Sequence, residues 1–323
     1  MKRTRGGLYR RSVLCLGASA GLFPATGFAA QPVKLTLSSY FHEGNVSGQG
    51  AQLFADELNA GPEGTLRVST EAVPAVTPLQ VIHKRSALAH YCAADFPDEE
   101  PLLGLSAVPM LTASFAETQA LLRIARPCYR AALARHNQVL LAVHPWRPAA
   151  LWSTFRVRSA ADVRAVPFSV ASLSGQRWGW ERIFVRAGVR SAAYADAELI
   201  LSSSYSVTLK FTQEFAYFME VFLATPLDFL TVSRAVFESL TERQREVLIT
   251  TGQGVELALW QSARELRDDR EVSTRGVTVL VPPDDVLALM RTATRPDIES
   301  WVRSVGEDGA AILAEYRRAV GGN

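Results

Sequence analysis

An α/β fold in two lobes is what this 323-residue chain predicts. Short apolar runs of strand length alternate with segments whose apolar residues recur every three or four positions, the order that builds parallel sheets flanked by helices. With an N-terminal leader set aside, about 294 residues remain, more than the roughly 100 to 150 residues of a usual domain. Hydrophobic residues make up 48% of the chain, enough for real cores.

The leader is residues 1–30. Lys2, Arg3, Arg5, Arg10 and Arg11 come with no acid, then an apolar run over residues 13–23, then the small residues Gly27, Ala29 and Ala30. That run is shorter than the roughly 20 apolar residues of a membrane span, and the small residues suit a signal peptidase, with cleavage expected after Ala29 or Ala30. Arg10 and Arg11 before Ser12, Val13 and Leu14 resemble a twin-arginine signal, with a plain Sec signal as the alternative. The expected location is the periplasm. The remaining chain has 29 cations against 32 acids, a net charge of −3. These charges are dispersed, so no nucleic-acid surface is expected. With no second long apolar run, the exported chain is not expected to be embedded in a membrane. Cys92 and Cys128 read as buried free thiols, although an oxidising compartment permits pairing.

The elements follow in order. Val33, Leu35 and Leu37 alternate with polar residues and predict a strand, residues 52–59 a helix, and residues 66–70 a second strand. A helix over 78–87, a strand over 88–93, an acidic loop (Asp95, Asp98, Glu99, Glu100), a helix over 115–136 and a strand over 139–143 complete the first set. Residues 146–155 look like a crossing segment. A second set opens with a short helix at 160–164, a strand at 168–171 and a helix at 177–187 stopped by Gly188. Residues 192–208, with Ser202, Ser203 and Ser204, carry the weakest pattern. After the breaker Pro226 come a strand at 227–232, a helix or helix pair to about 271 capped by Ser239 or Thr241, a strand at 277–281 and a helical segment over 284–318.

Enzymatic signatures are largely missing. The five histidines, His42, His83, His90, His136 and His144, contain no metal-ligand spacing, and no Gly-x-Ser-x-Gly elbow is present. No catalytic residue, metal or cofactor is expected. Ser172, Leu173, Ser174 and Gly175, between strand and helix, suit either an anion at a helix N-terminus or a plain cap. The acidic loop reads as solvated. Tyr40, Phe41, Tyr91, Trp146, Trp152, Trp178, Trp180 and Tyr205 fall near strand ends or helix starts, where α/β sheets bind ligands.

Several segments resemble, in one order, the DctP-type solute-binding proteins of tripartite ATP-independent periplasmic (TRAP) transporters. Ser106, Ala107, Val108, Pro109, Met110 and Leu111, with Phe115, resemble the family's apolar, proline, phenylalanine, leucine stretch. Ser159, Ala160, Ala161, Asp162, Val163 and Arg164 resemble its Ser-Pro-Glu-Asp-Leu-Lys turn. Leu230, Thr231, Val232, Ser233, Arg234, Ala235, Val236, Phe237, Glu238, Ser239 and Leu240, followed by Thr241, Glu242, Arg243 and Gln244, match its strand, Ser-Lys, aromatic and Ser-Pro-Glu-Asp-Gln pattern. Glu265, Leu266, Gly276, Val277, Val279 and Pro282 fit its closing order.

The resemblance implies a two-lobed periplasmic-binding-protein fold with crossing hinge strands and a long interlobe helix. It implies a receptor that captures a small organic ligand and hands it to TRAP membrane subunits. Lobe I is expected over 31–152 plus 227–270, and lobe II over 153–226 plus 271–323. The arginine that forks onto a ligand carboxylate in this family falls at Ser169 here. Arg147 matches a second family arginine, with an interlobe ion pair as its alternative role, and Arg177 either supplies a substitute charge or points to solvent. The family's pocket-lining stretch is replaced near residues 199–205 by a shorter serine-rich segment. The expected ligand-binding set is Tyr40, His42, Tyr91, Arg147, Ser169, Ser172, Arg177, Trp178 and Tyr205. The departures from the pattern also suit an interaction or sensory partner that has lost high-affinity ligand binding.

Overall fold

Residues 33–39 form a strand because their alternation buries Leu35 and Leu37 while Lys34 faces solvent. The same logic recurs through a computed structural model that describes residues 31–40, 46–61, 64–73, 79, 82–171, 179–203, 209–265 and 268–321. The segment expected to direct export, residues 1–30, lies outside these residues.

The first half contains β1 (Val33–Ser39), α1 (Val46–Ala60), β2 (Leu66–Ala72), α2 (Ile82–Arg85) and β3 (Leu88–Cys92). Two 3-10 turns, Ala93–Asp95 and Pro101–Ala107, lead to α3 (Phe115–Arg135) and β4 (Gln138–Pro145). Ser114 caps α3 by accepting the Glu117 amide at 3.2 Å. Next come β5 (Ala149–Ser153), α4 (Ala160–Ala165), β6 (Pro167–Val170), α5 (Trp180–Arg186), β7 (Arg190–Ser191), β8 (Leu199–Ser203), α6 (Leu209–Glu214) and β9 (Tyr217–Glu220). The chain then continues through β10 (Leu227–Ser233), α7 (Arg234–Ser239), α8 (Glu242–Glu265), α9 (Asp268–Thr274), β11 (Thr278–Leu280), α10 (Asp284–Val305) and α11 (Glu307–Val320). Thr241 and Gln244 cap α8 reciprocally, as the sequence suggested.

Two sheets result, in the orders β2-β1-β3-β10-β4 and β11-β9-β5-β8-β6-β7. They are mixed and not purely parallel, which corrects the expectation from strand and helix alternation. β10 runs antiparallel to β3 and β4, and β5 antiparallel to β8 and β9. The reason is topological: each is the strand by which the chain enters a sheet from the other one, so it arrives in the reverse direction. β8 and β9 lie in or beside the serine-rich stretch that offered no clear pattern. The helix expected over 78–87 shrinks to the single turn of α2 among the described residues.

Apolar side chains of the first sheet pack on α1 and α8 on one face. The other face joins α3 in a core that continues through Phe168, Leu199 and Leu201 of the second sheet and Phe184 of α5. The second sheet's opposite face carries Trp152, Ile200 and Phe218 against Phe211 and Phe215, with Val272 of α9. Helix α10 ties both parts. Asp285 accepts the Ala160 amide at 2.9 Å, Asp297 holds Arg186 at 2.7 Å, and the Trp301 indole donates to the Pro101 carbonyl at 2.9 Å. Gly306, at φ 76°, then breaks the helical run, since a Cβ disfavours that backbone region. α11 turns back onto α3, where the Tyr316 hydroxyl donates to Glu117 at 3.0 Å. α11 thus packs on α3, a helix that lies against β4 of the first sheet. Cys92 and Cys128 are free thiols.

Candidate functional site

The parallel strands of both sheets direct their carboxyl ends toward the same place, the two passages that join the sheets. β4 ends at Pro145, opposite Leu227 where β10 begins, and the passage over residues 146–148 leads into β5. The return passage, residues 221–226, links β9 to β10. The two are hydrogen-bonded: Trp146 N donates to Pro226 O at 2.8 Å, and Ala149 N to Ala224 O at 2.9 Å. Met110 N donates to Leu223 O at 2.8 Å, and Leu227 N to Ser106 Oγ at 3.1 Å. Met110 (φ 55°) and Phe222 (φ 44°) both occupy the left-handed region, a cost of about 1 to 3 kcal/mol each that surrounding contacts must offset. The Phe222 ring packs edge-on against Phe115, with centroids 5.8 Å apart.

Four residues expected to bind ligand are described. Arg147 sits half-buried in the 146–148 passage. Tyr40 closes β1, its amide donating to His90 O at 3.1 Å and its ring edge-on to Tyr91 and Phe96. Tyr91 proves to be a core residue, fully buried, with its hydroxyl donating to Gln138 Oε1 at 2.8 Å. Burial pushes that phenol far above its ordinary range, so its hydroxyl serves the interior and not a cleft. Ser169 lies half-buried on β6, in register with Ile200, which is in turn in register with Trp152. The structure thus brings Tyr40 and Tyr91 together and places Ser169 in the other sheet. His42, Ser172, Arg177, Trp178 and Tyr205 lie outside the described residues.

Sequence reading missed a polar cluster on the α1 face of the first sheet. His90 (β3), Asp228 (β10) and His144 (β4) come from three adjacent strands and are 0%, 0% and 4% exposed. Leu230 pairs with His90 and Asp228 with His144, so alternation puts all three on one face. His90 Nε2 and His144 Nε2 lie 2.9 Å apart, Ser39 Oγ is 3.2 Å from His90 Nδ1, and Asp228 Oδ2 is 3.9 Å from His144 Nδ1. The imidazole centroids are 5.1 Å apart, which at this nitrogen separation means that the rings meet end to end and not face to face. Helix α1 closes over the pair at Gly50, where a Cβ would come within 2.5 Å of His144 Nε2. Only glycine allows that approach.

Electrostatics follow from burial. Desolvation holds His90 well below its ordinary pKa, and the adjacent His144 adds to the effect. Desolvation also lowers His144 to about 4, partly offset by its bond to the Pro145 carbonyl. Both rings are therefore neutral near pH 7, and the contact between His144 and Asp228 is a polar contact, not an ion pair. The signal available in sequence was a charged residue, Asp228, within an apolar strand.

No family model and no curated protein sequence matches the chain. Solved structures do. The pyroglutamic acid-binding extracytoplasmic solute receptor DctP7 of Bordetella pertussis superposes with a TM-score of 0.75 at 20% identity, over 88% of this chain and 99% of that one. A TRAP periplasmic solute-binding protein of Ralstonia eutropha with bound (S)-2-acetolactate gives 0.71 at 15% identity, over 90% and 99%. TeaA, the ectoine-binding protein of the TeaABC TRAP transporter, gives 0.73 at 10%, over 90% and 99%. This chain has the two-lobed α/β fold of the TRAP periplasmic solute-binding proteins.

Proposed function

We propose that the chain is an exported, non-enzymatic receptor that captures a small organic ligand between its two lobes and delivers it to TRAP-type membrane subunits in the periplasm. The observation that carries this reading is the pair of hydrogen-bonded passages between two sheets whose parallel strands aim their carboxyl ends at them. Ligands bind outside strand carboxyl ends in such sheets, and a ligand that touches both halves stabilises the closed form. Among the described residues no helix is long and apolar enough to cross a membrane. The solved relatives bind pyroglutamate, acetolactate or ectoine, compounds of the size expected here.

In this reading Arg147 anchors the ligand's anionic group, because guanidinium to carboxylate is a strong, directional pair. Tyr40 and Ser169 border the ligand from opposite lobes, joined by His42, Ser172, Arg177, Trp178 and Tyr205. Lobe I then comprises about residues 31–152 and 227–270. Serine in place of the arginine at residue 169 favours one second reading, a sensory or interaction partner of the same fold.

A thermal-shift screen of small acids, lactams, amino acids and alcohols, with hits confirmed by calorimetry, separates the two. A ligand at 100 times its Kd stabilises the fold by about 2.7 kcal/mol. For a carboxylate hit, Arg147→Ala should weaken binding by about 10-fold to 100-fold. Silence from folded protein across the panel overturns the receptor reading and leaves the partner reading.

A further inference from the structure

We propose that His90, His144 and Asp228 form a buried binding site for one divalent transition-metal ion of the zinc or cobalt class. One donor atom from each lies within 4.8 Å of the others, and two neutral imidazoles with a carboxylate are an N/O set that such ions take. This inference is independent of the receptor reading, since it concerns the α1 face of the first sheet.

The arrangement around the donors matches that of metal-bound histidines. Each ring turns Nε2 inward toward the other and has an outer partner: Ser39 Oγ lies 3.2 Å from His90 Nδ1, and His144 hydrogen-bonds the backbone of Pro145. Outer partners of this kind fix the tautomer and aim of ligating histidines. Asp228 brings a buried carboxylate to the same face, an oxygen donor of the kind such ions take. Backbone of α1 roofs the donors at Gly50.

The tautomers set the proton balance. Because Nε2 of His144 faces His90, its bond to the Pro145 backbone falls to Nδ1, which carries the hydrogen; without an ion His144 Nε2 then accepts and His90 Nε2 donates across 2.9 Å. An ion takes the lone pairs of both Nε2 atoms, so the His90 hydrogen must move to Nδ1, where Ser39 Oγ accepts it. No proton leaves the pair. Two nitrogens on one tetrahedral ion stand about 3.3 Å apart at ordinary Zn–N lengths, so the rings have to part by about 0.4 Å and tilt out of line.

The test is titration of the chelator-treated, purified protein with Co2+ and Zn2+, by calorimetry and by Co2+ absorption. The expected result is one ion per chain, intense visible Co2+ bands of a four-coordinate site that Zn2+ bleaches, and Kd raised more than about 100-fold by His90→Gln or Asp228→Asn. Ser39→Ala, which removes only an outer partner, should raise it about 10-fold. Folding of each variant is checked by circular dichroism. Where one fails to fold, the wild-type Co2+ spectrum and the Ser39→Ala shift decide. No ion bound by folded protein, weak six-coordinate bands, or affinity unchanged in the folded variants would overturn the proposal.

Discussion

On the first sheet β3, β10 and β4 place His90, Asp228 and His144 on one buried face, whereas the second sheet's α6 and α9 face is filled by Trp152, Ile200 and Phe218. Elsewhere in the first sheet His83 Nε2 meets Thr231 Oγ1 at 3.1 Å, and Ser38 and Ser86 both hydrogen-bond Glu71. In the second, Trp152 packs on Phe211 and Phe218 with centroids 5.5 and 4.8 Å apart, and Phe168 stacks on Phe184 at 3.8 Å. These two faces thus rely on different forces, although the first sheet's other face also packs aromatic rings, Tyr91 against Phe96 and Phe229. The first half accepts desolvated polar groups that hydrogen bonds must satisfy. The second depends on close-packed aromatic area.

The largest effect should come from cutting into the aromatic side. Trp152 is fully buried, so Trp152→Ala should cost about 3 to 5 kcal/mol, read as a lower urea midpoint. Among the described residues its indole nitrogen has no hydrogen-bond partner, so Trp152→Phe should recover most of that loss. A large residual deficit in Trp152→Phe would show that the second half also depends on polar satisfaction.

Acid should attack the other side. His144 titrates at about 4 in the folded chain against about 6.5 unfolded. The unfolded state binds more protons in that interval, so stability is complete above pH 6.5 and drains away as pH falls toward 4. Between pH 7 and pH 5 His144 alone accounts for about 2 kcal/mol, and burial of His83 and His90 acts in the same direction. Urea midpoints at the two pH values, with chelator present, measure this. Equal midpoints would erase the contrast, and His90→Gln should shrink the difference.

Helix caps should distinguish the halves least. Ser114 caps α3, and Ser159 shares a capping box with Asp162 at the start of α4. Ser114→Ala and Ser159→Ala should each cost about 1 kcal/mol in thermal melts. A much larger loss for one would mean that its helix end also carries tertiary load.

Element identity was largely readable. Alternation located β1, short runs of strand length located β2, β3, β4, β6, β10 and β11, and Ser159, Asp162, Thr241 and Gln244 marked helix starts, because strand pleat and cap bonds involve residues a few positions apart. β8 and β9 escaped because Ser202 is completely buried in a run that reads as polar. Of the expected site, Arg147 and Tyr40 fall beside the passages, while Tyr91 belongs to the core. The histidine and aspartate cluster was illegible: His90 and His144 are 54 positions apart, and no spacing rule reaches that far.

What the chain determined by itself is therefore local: helices and strands in period, and caps in three-residue motifs. Strand direction, the mixed sheets, the fold of α11 back onto α3 and the meeting of His90, Asp228 and His144 were decided only by tertiary structure. The physical reason is that a strand's hydrogen bonds and a buried polar group's partners come from other strands, and which strands become neighbours depends on how the whole chain crosses between its two sheets.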